Sequence, residues 1–276
     1  MSRPKDLPDF GKPPVAETVL SLQFEPIPGL TSAHLGVLWT KFRQELPLIE
    51  EHPQLPQVFE DFGPPSPPQV EVTIEEKPAL PRVWFVNETK TELIQVQSNR
   101  LIHNWRKMEG MQPYPHYEPI RAKFRGEVAV LEGFLQDEKL GTLAVNQCEV
   151  TYVNHIEPAG VWDRHGEFEK VFSMWAGLVN GSFLPKPEDA GVRIRFLIPD
   201  QNGKAVGRLH VVVHPAWKKT DNSPILVLNL TARGVPIGEG IEGAFSFFDV
   251  GREWIVKGFA DLTTPAMHRV WEKIDA

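Results

Sequence analysis

Val192-Arg193-Ile194-Arg195-Phe196-Leu197-Ile198, Ala205-Val206-Gly207-Arg208-Leu209-His210-Val211-Val212-Val213-His214 and Ile225-Leu226-Val227-Leu228-Asn229-Leu230-Thr231-Ala232-Arg233 follow one another along the chain. Side chains of a strand point alternately to opposite faces, so apolar residues at every second position mark a sheet with one buried side. Here Val192, Ile194 and Phe196, then Leu209, Val211 and Val213, then Leu226, Leu228 and Leu230 form the apolar set. The other set holds Arg193, Arg195, Arg208, His210, His214, Asn229, Thr231 and Arg233. Asp200-Gln201-Asn202-Gly203 links the first two segments and is short enough to make them antiparallel. An antiparallel layer with one apolar side is expected to carry helices on that side only.

Working outward, a strand is expected at 147–156 and a helix at 166–178, with Phe168, Phe172 and Trp175 on one side. A long helix starts near Phe245, and Thr264-Pro265 signals a break and restart before Trp271. The first half repeats this order. A strand at 15–25 precedes a helix capped by Thr31 or Ser32, with Leu35, Leu38, Trp39, Phe42 and Leu46 at helical spacing. Strands at 82–86, 92–97 and 100–106 lead to a helix from Pro119 to about Lys139, with Ile120, Phe124, Val128, Leu131 and Leu135 as its stripe. Residues 1–14 read as a mobile tail. The nine prolines from Pro47 to Pro81 read as an extended connection that wraps the surface, with a short strand at 70–74.

The expected fold is therefore α+β, built from two similar β-α-β(3-4)-α halves at 15–140 and 141–276, with the proline-rich insertion at 47–81 inside the first. Antiparallel sheets are covered by helices on one face. TATA-box-binding-protein-like and helix-grip folds use this element order, a comparison of architecture alone.

Composition narrows the function classes. Of the 276 residues 41% are hydrophobic and 24% charged, which suits a packed core. No stretch approaches the ~18 apolar residues of a membrane span, and Met1–Pro8 has no apolar segment of the kind a signal peptide needs. The single cysteine, Cys148, permits no intrachain disulfide, and together these point to the cytoplasm. A net charge of −7 argues against a general grip on nucleic acid.

Catalytic signatures are weak. Gly238-Glu239-Gly240-Ile241-Glu242-Gly243 has the spacing of a dinucleotide loop. Its two glutamates would repel a pyrophosphate, and no second parallel strand follows. His210 and His214, four apart on a strand, lie roughly 13 Å from each other at ~3.3 Å per residue, too far to share one metal. Cys148 lies within a strand, where an inert buried thiol is the default. No G-x-S-x-G elbow occurs, and no cofactor signature is found. The informative feature is the polar reverse of the sheet: Arg193, Arg195, Arg208, His210, Asn229 and Arg233 in the second half, with Gln95, Gln97, Asn104 and Arg106 in the first. Arginine grips carboxylate and phosphate through paired hydrogen bonds.

Leu93-Ile94-Gln95-Val96-Gln97 running into Asn104-Trp105-Arg106, the 145–157 segment, and Phe259-Ala260-Asp261-Leu262-Thr263-Thr264 before Trp271 together resemble a sporadically distributed family of uncharacterised prokaryotic proteins of similar length. The resemblance covers nearly the whole chain from Val15 on. Its motifs are strand and helix patterns, so it implies no catalytic residue. The patchy distribution implies mobile genes such as defence or toxin–antitoxin cargo, and hence a partner encoded by an adjacent gene.

The expected function is a non-enzymatic binding or regulatory protein that recognises an acidic protein partner or an anionic ligand. The same face could instead support a homodimer. The alternatives are a hydrolase with a site between the two halves, and a nucleic-acid-binding module.

Overall fold

The computed structural model describes residues 7–63, 80–110, 113–175 and 183–274. In chain order the elements are β1 (Asp9–Phe10), β2 (Val15–Phe24), α1 (Ser32–Phe42), β3 (Leu48–His52), β4 (Arg82–Val86), β5 (Glu92–Gln97), β6 (Arg100–Arg106), α2 (Tyr117–Asp137), β7 (Val145–Ile156), β8 (Val192–Pro199), β9 (Ala205–Trp217), β10 (Pro224–Gly234), α3 (Gly240–Leu262), α4 (Pro265–Val270) and β11 (Lys273–Ile274).

Among the described residues nine strands form one antiparallel sheet in the order β3-β4-β5-β6-β2-β7-β10-β9-β8. The meander β8-β9-β10 is the alternating stretch of the sequence, and β4, β5 and β6 fall on the expected 82–86, 92–97 and 100–106. Where a sheet in each half was expected, β2 pairs with β7 and joins the strands of both halves into this one nine-stranded sheet, with β1 and β11 forming a separate pair. One face packs under helices. Leu20, Leu22, Phe24, Cys148, Val150, Leu209, Val211, Leu226, Leu228 and Leu230 are buried there. They meet Ile120, Phe124, Val128, Leu131 and Leu135 of α2, and Phe245, Phe247, Phe248 and Ile255 of α3, in one hydrophobic cluster.

Two local devices set how closely helices approach. Gly207 and Gly234 are cross-strand partners, and a Cβ on Gly234 would stand 2.5 Å from the Phe247 ring and 2.1 Å from the Val206 carbonyl. The missing side chains form the socket into which α3 presses Phe247. On α2, Glu127 accepts from Nδ1 of His103 on β6 at 2.9 Å, with both residues almost wholly buried. The helices are also tied to each other, because Arg121 clasps Asp249 through paired bonds of 2.7 and 2.8 Å.

Several expectations are corrected. Residues 7–14 are anchored and are not a loose tail: β1 pairs with β11, and Phe10 lies edge-on to Phe259 at 5.2 Å. An aromatic side chain near a terminus gains more by docking than by hydration. The helix expected at 166–178 is, within the described residues, only a 3-10 turn at Phe168–Lys170. Ser173 donates to the Leu262 carbonyl and Val171 accepts from Thr264, so the backbone pairs with the end of α3 instead of propagating a helix. The stretch from Pro47 contains an unexpected edge strand, β3, paired with β4. The short strand expected at 70–74 lies outside the described residues. The long helix α3 begins at Gly240 instead of near Phe245, while Thr264 caps α4 as the Thr-Pro break predicted.

Gly234→Ala is expected to destabilise the protein by about 2 kcal/mol through overpacking. Glu127→Ala should cost about 3 kcal/mol by orphaning a buried histidine. Urea unfolding followed by tryptophan fluorescence measures both.

Candidate binding site on the reverse face of the sheet

The face opposite α2 and α3 carries the polar half of each alternating strand. Cross-strand pairing aligns these residues into rows. One row runs through Gln97 and Arg100, Arg100 and Gln23, and Gln23 and Gln147. Two residues further along β7, Glu149 faces Arg233, and Arg233 faces Arg208 on β9. The row therefore crosses six neighbouring strands.

Residues 53–63, which follow β3, lie along this row as a strap. Gln97 donates to the Leu55 carbonyl and accepts from its N–H, both at 2.9 Å. Gln23 repeats the arrangement at Val58, accepting at 3.0 Å and donating at 3.3 Å. Gln147 accepts from the Glu60 N–H at 3.4 Å, and Arg100 donates to the Pro56 carbonyl at 3.0 Å. Pro53 and Pro56 lack an N–H and favour extended backbone, so the strap crosses the sheet without becoming a strand of it. Its contacts to the glutamines and to Arg100 are to main chain and do not depend on strap side chains.

The exception is Glu60, whose side chain is 4% exposed. Its carboxylate takes hydrogen bonds from Arg208 at 2.8 Å and His210 at 2.5 Å, and Arg233 lies 3.5 Å away. Arg233 also donates to Glu149 at 2.6 Å. Two guanidiniums directly opposite on adjacent strands repel one another, and Glu60 with Glu149 offsets that repulsion. Burial pushes the Glu60 carboxyl upward, but the bonds from His210 and Arg208 and the charges of His210 and Arg233 outweigh it and hold the group below its ordinary value. The Arg208 guanidinium also stacks over the Phe62 ring, 4.9 Å from its centre.

The residues expected to form the site separate into three places. Arg208, His210 and Arg233 converge on Glu60. Arg193 and Arg195 are exposed on the edge strand β8, and neither makes an ion pair among the described residues. Asn229 lies on β10 four residues from Arg233, in the row that runs through Val212 to Arg193, and its Oδ1 is buried without a partner among the described residues. Gln95, Asn104 and Arg106 form a separate internal network. Arg82 donates to Gln95, Gln95 to Asn104, and both Asn104 and Arg106 to Glu17. The expectation of a bare polar face is corrected accordingly, since the strap covers its central row. Sequence reading missed Gln23, Arg100, Gln147, Glu149 and Glu60. The signal available was a set of long amides at strand positions that are nonetheless buried, which demands partners.

Other groups capable of chemistry have structural explanations. β7 places Cys148 and His155 on opposite faces, with the thiol wholly buried and held protonated by that burial. His165 is bound to the carbonyls of Ala216 and Ile225. Gly240 and Gly243 belong to the first turn of α3, and Glu242 pairs with Arg125. No group of three or more metal-ligating side chains occurs among the described residues, and no described helix is long and apolar enough to cross a membrane. A small cleft lies between the N-terminal segment, the residues leading into α2, β7, β10 and α3. Asp9, Tyr114, His116, Tyr117, Tyr152, Asn154 and Arg252 supply its polar groups. The described lining contains no serine, threonine or cysteine, so it offers no hydroxyl or thiol nucleophile of the usual aliphatic kind. No family model, curated protein or solved structure matches this chain.

Because the folded Glu60 carboxyl sits below its ordinary value of 4.5, its contribution to strap docking is complete above that pH and lost as pH falls through the folded value. Hydrogen-exchange protection at Leu55, Val58 and Glu60, corrected for intrinsic rates, should therefore fall in that acid range. Glu60→Gln should abolish the step.

Proposed function

We propose that this chain is a binding or regulatory protein without chemistry of its own, which recognises an acidic protein partner through the reverse face of its sheet. The single observation that carries the reading is the Arg208–His210–Arg233 cluster, which already holds a carboxylate in its own fold. A carboxylate grip on this part of the sheet is thus sterically and electrostatically workable. Arg193 and Arg195 extend the positive surface along the edge strand, where water and a partner both reach them.

The arrangement of the sheet supports reading the chain as two similar halves that meet where β2 pairs with β7. Moving outward, β6-β5-β4 on one side mirrors β10-β9-β8 on the other, with α2 following the first set and α3 the second. This is the order of TATA-box-binding-protein-like and helix-grip architectures. We place the protein in the cytoplasm on the strength of its single buried thiol, and look for its partner in the product of an adjacent gene.

Co-expression of the tagged chain with the products of its flanking genes, followed by pull-down, tests the reading. Arg193→Ala/Arg195→Ala/Arg233→Ala should reduce capture at least tenfold at ~0.15 M salt, where exposed charges still act over about 8 Å. Undiminished capture by a triple variant with native circular dichroism would overturn it.

A further inference from the structure

We propose that the strap, residues 53–63, is an intramolecular stand-in for the partner. The row of Gln97, Arg100, Gln23, Gln147, Arg233 and Arg208 takes an extended segment of another protein, with its acidic side chain where Glu60 lies. This deepens the acidic-partner reading and rests on it.

The contacts that hold the strap have the division of labour of a peptide-recognition groove. Gln97 and Gln23 each present an amide that donates to and accepts from one peptide unit, at Leu55 and Val58. These bonds read an extended main chain with any side chains. Glu60 is the one strap side chain held by charged groups from two strands, Arg208 and His210 of β9 and Arg233 of β10. It supplies the specificity. Six strands span five gaps of ~4.8 Å, roughly 24 Å. From Leu55 to Glu60 an extended chain covers about 17 Å at ~3.4 Å per residue. The glutamine and glutamate side chains make up the rest, so a ligand must be extended to satisfy both ends of the row.

The strap also has the properties of a removable cover. It belongs to the connection between β3 and β4, whose two ends are fixed by their own pairing. Gln54 donates to the Leu80 carbonyl at the base of that connection. Lifting residues 55–62 therefore breaks no strand of the sheet. Phe59 and Phe62 are 54% and 37% exposed, so the strap leaves little apolar surface behind it. Beneath Val58, Gln23, Arg100, Gln147, Glu149 and Arg233 surround a gap no larger than about one water molecule, and Nε of Arg100 has no acceptor among the described residues. The cover thus leaves polar capacity in the row unused, which a better-fitting segment would engage.

A tethered strap competes at an effective concentration of about millimolar. Free peptide should accordingly bind the intact chain weakly and the uncovered row strongly. The probe is a fluorescein-labelled peptide of residues 53–63, followed by fluorescence polarisation. The host is the full chain with residues 53–63 replaced by glycine and serine of equal number. This host should bind the peptide at least tenfold tighter than wild type. Changing the peptide's glutamate to glutamine, or Arg208→Ala in the host, should each cost at least tenfold. If the replaced chain does not fold, the full chain carrying Glu60→Gln serves as host, with the same expected gain over wild type. A folded host that shows no gain overturns the proposal. So does a wild-type dimer by light scattering that dissociates when the strap is replaced, because the row would then serve strap exchange between copies. If peptide binding fails while partner capture still depends on Arg193 and Arg195, the stand-in falls and the acidic-partner reading survives.

Discussion

A buried amide or guanidinium must find hydrogen-bond partners or the fold loses free energy, by about 1–3 kcal/mol for each group left unsatisfied. That constraint governs the reverse face of this sheet. Gln23, Gln97 and Gln147 are almost wholly buried, and Arg100 nearly so. Their own neighbours satisfy them only in part: Arg100 donates to Gln23, Gln23 to Asn146 and Gln97 to Asn99, which leaves further donors and acceptors to fill. The 53–63 segment supplies peptide groups to the amides and to Arg100, and a carboxylate to Arg208, His210 and Arg233. Without something extended and acidic lying across the row, the polar side of the alternation would be burdened with like charges and idle donors.

The opposite face obeys a simpler rule and was correspondingly legible. Alternation in β9 and β10 and the helical stripe of α2 each follow from local periodicity, and both appear where the residues place them, whereas on the edge strand β8 the expected apolar side is incomplete, with Phe196 exposed and Val192 and Ile194 half-buried. The elements that escaped depend on distant contacts. β3 is short and charged, and it becomes a strand only because β4 offers an edge. The aromatic stretch at Phe168, Phe172 and Trp175 has helical spacing, yet its backbone is claimed by the end of α3. Phe10 looks like part of a proline-rich tail until Phe259 and Trp271 are brought beside it.

The site was legible by half for the same reason. Arginine and histidine on the polar side of β9 and β10 could be listed from alternation, and Arg208, His210 and Arg233 do converge. Which of the ten expected residues act together could not be listed, since register across β6, β2 and β7 decides it. Glu60 lies 148 residues before Arg208, in a stretch whose prolines suggested only a stiff connection. Proline composition nevertheless carried the right physical content: a segment that cannot pair as a strand can still lie flat across one.

Cys148 gives the molecule a reporter of its own. The thiol lies on β7 at the junction where β2 and β10 both pair, opposite Leu22 and Gly234, and is wholly buried. A disulfide reagent can reach it only when the middle of the sheet parts, so the modification rate counts openings of the centre and ignores motion at the rim. The one sulfhydryl of the chain is thereby a probe of breathing at the centre of the sheet.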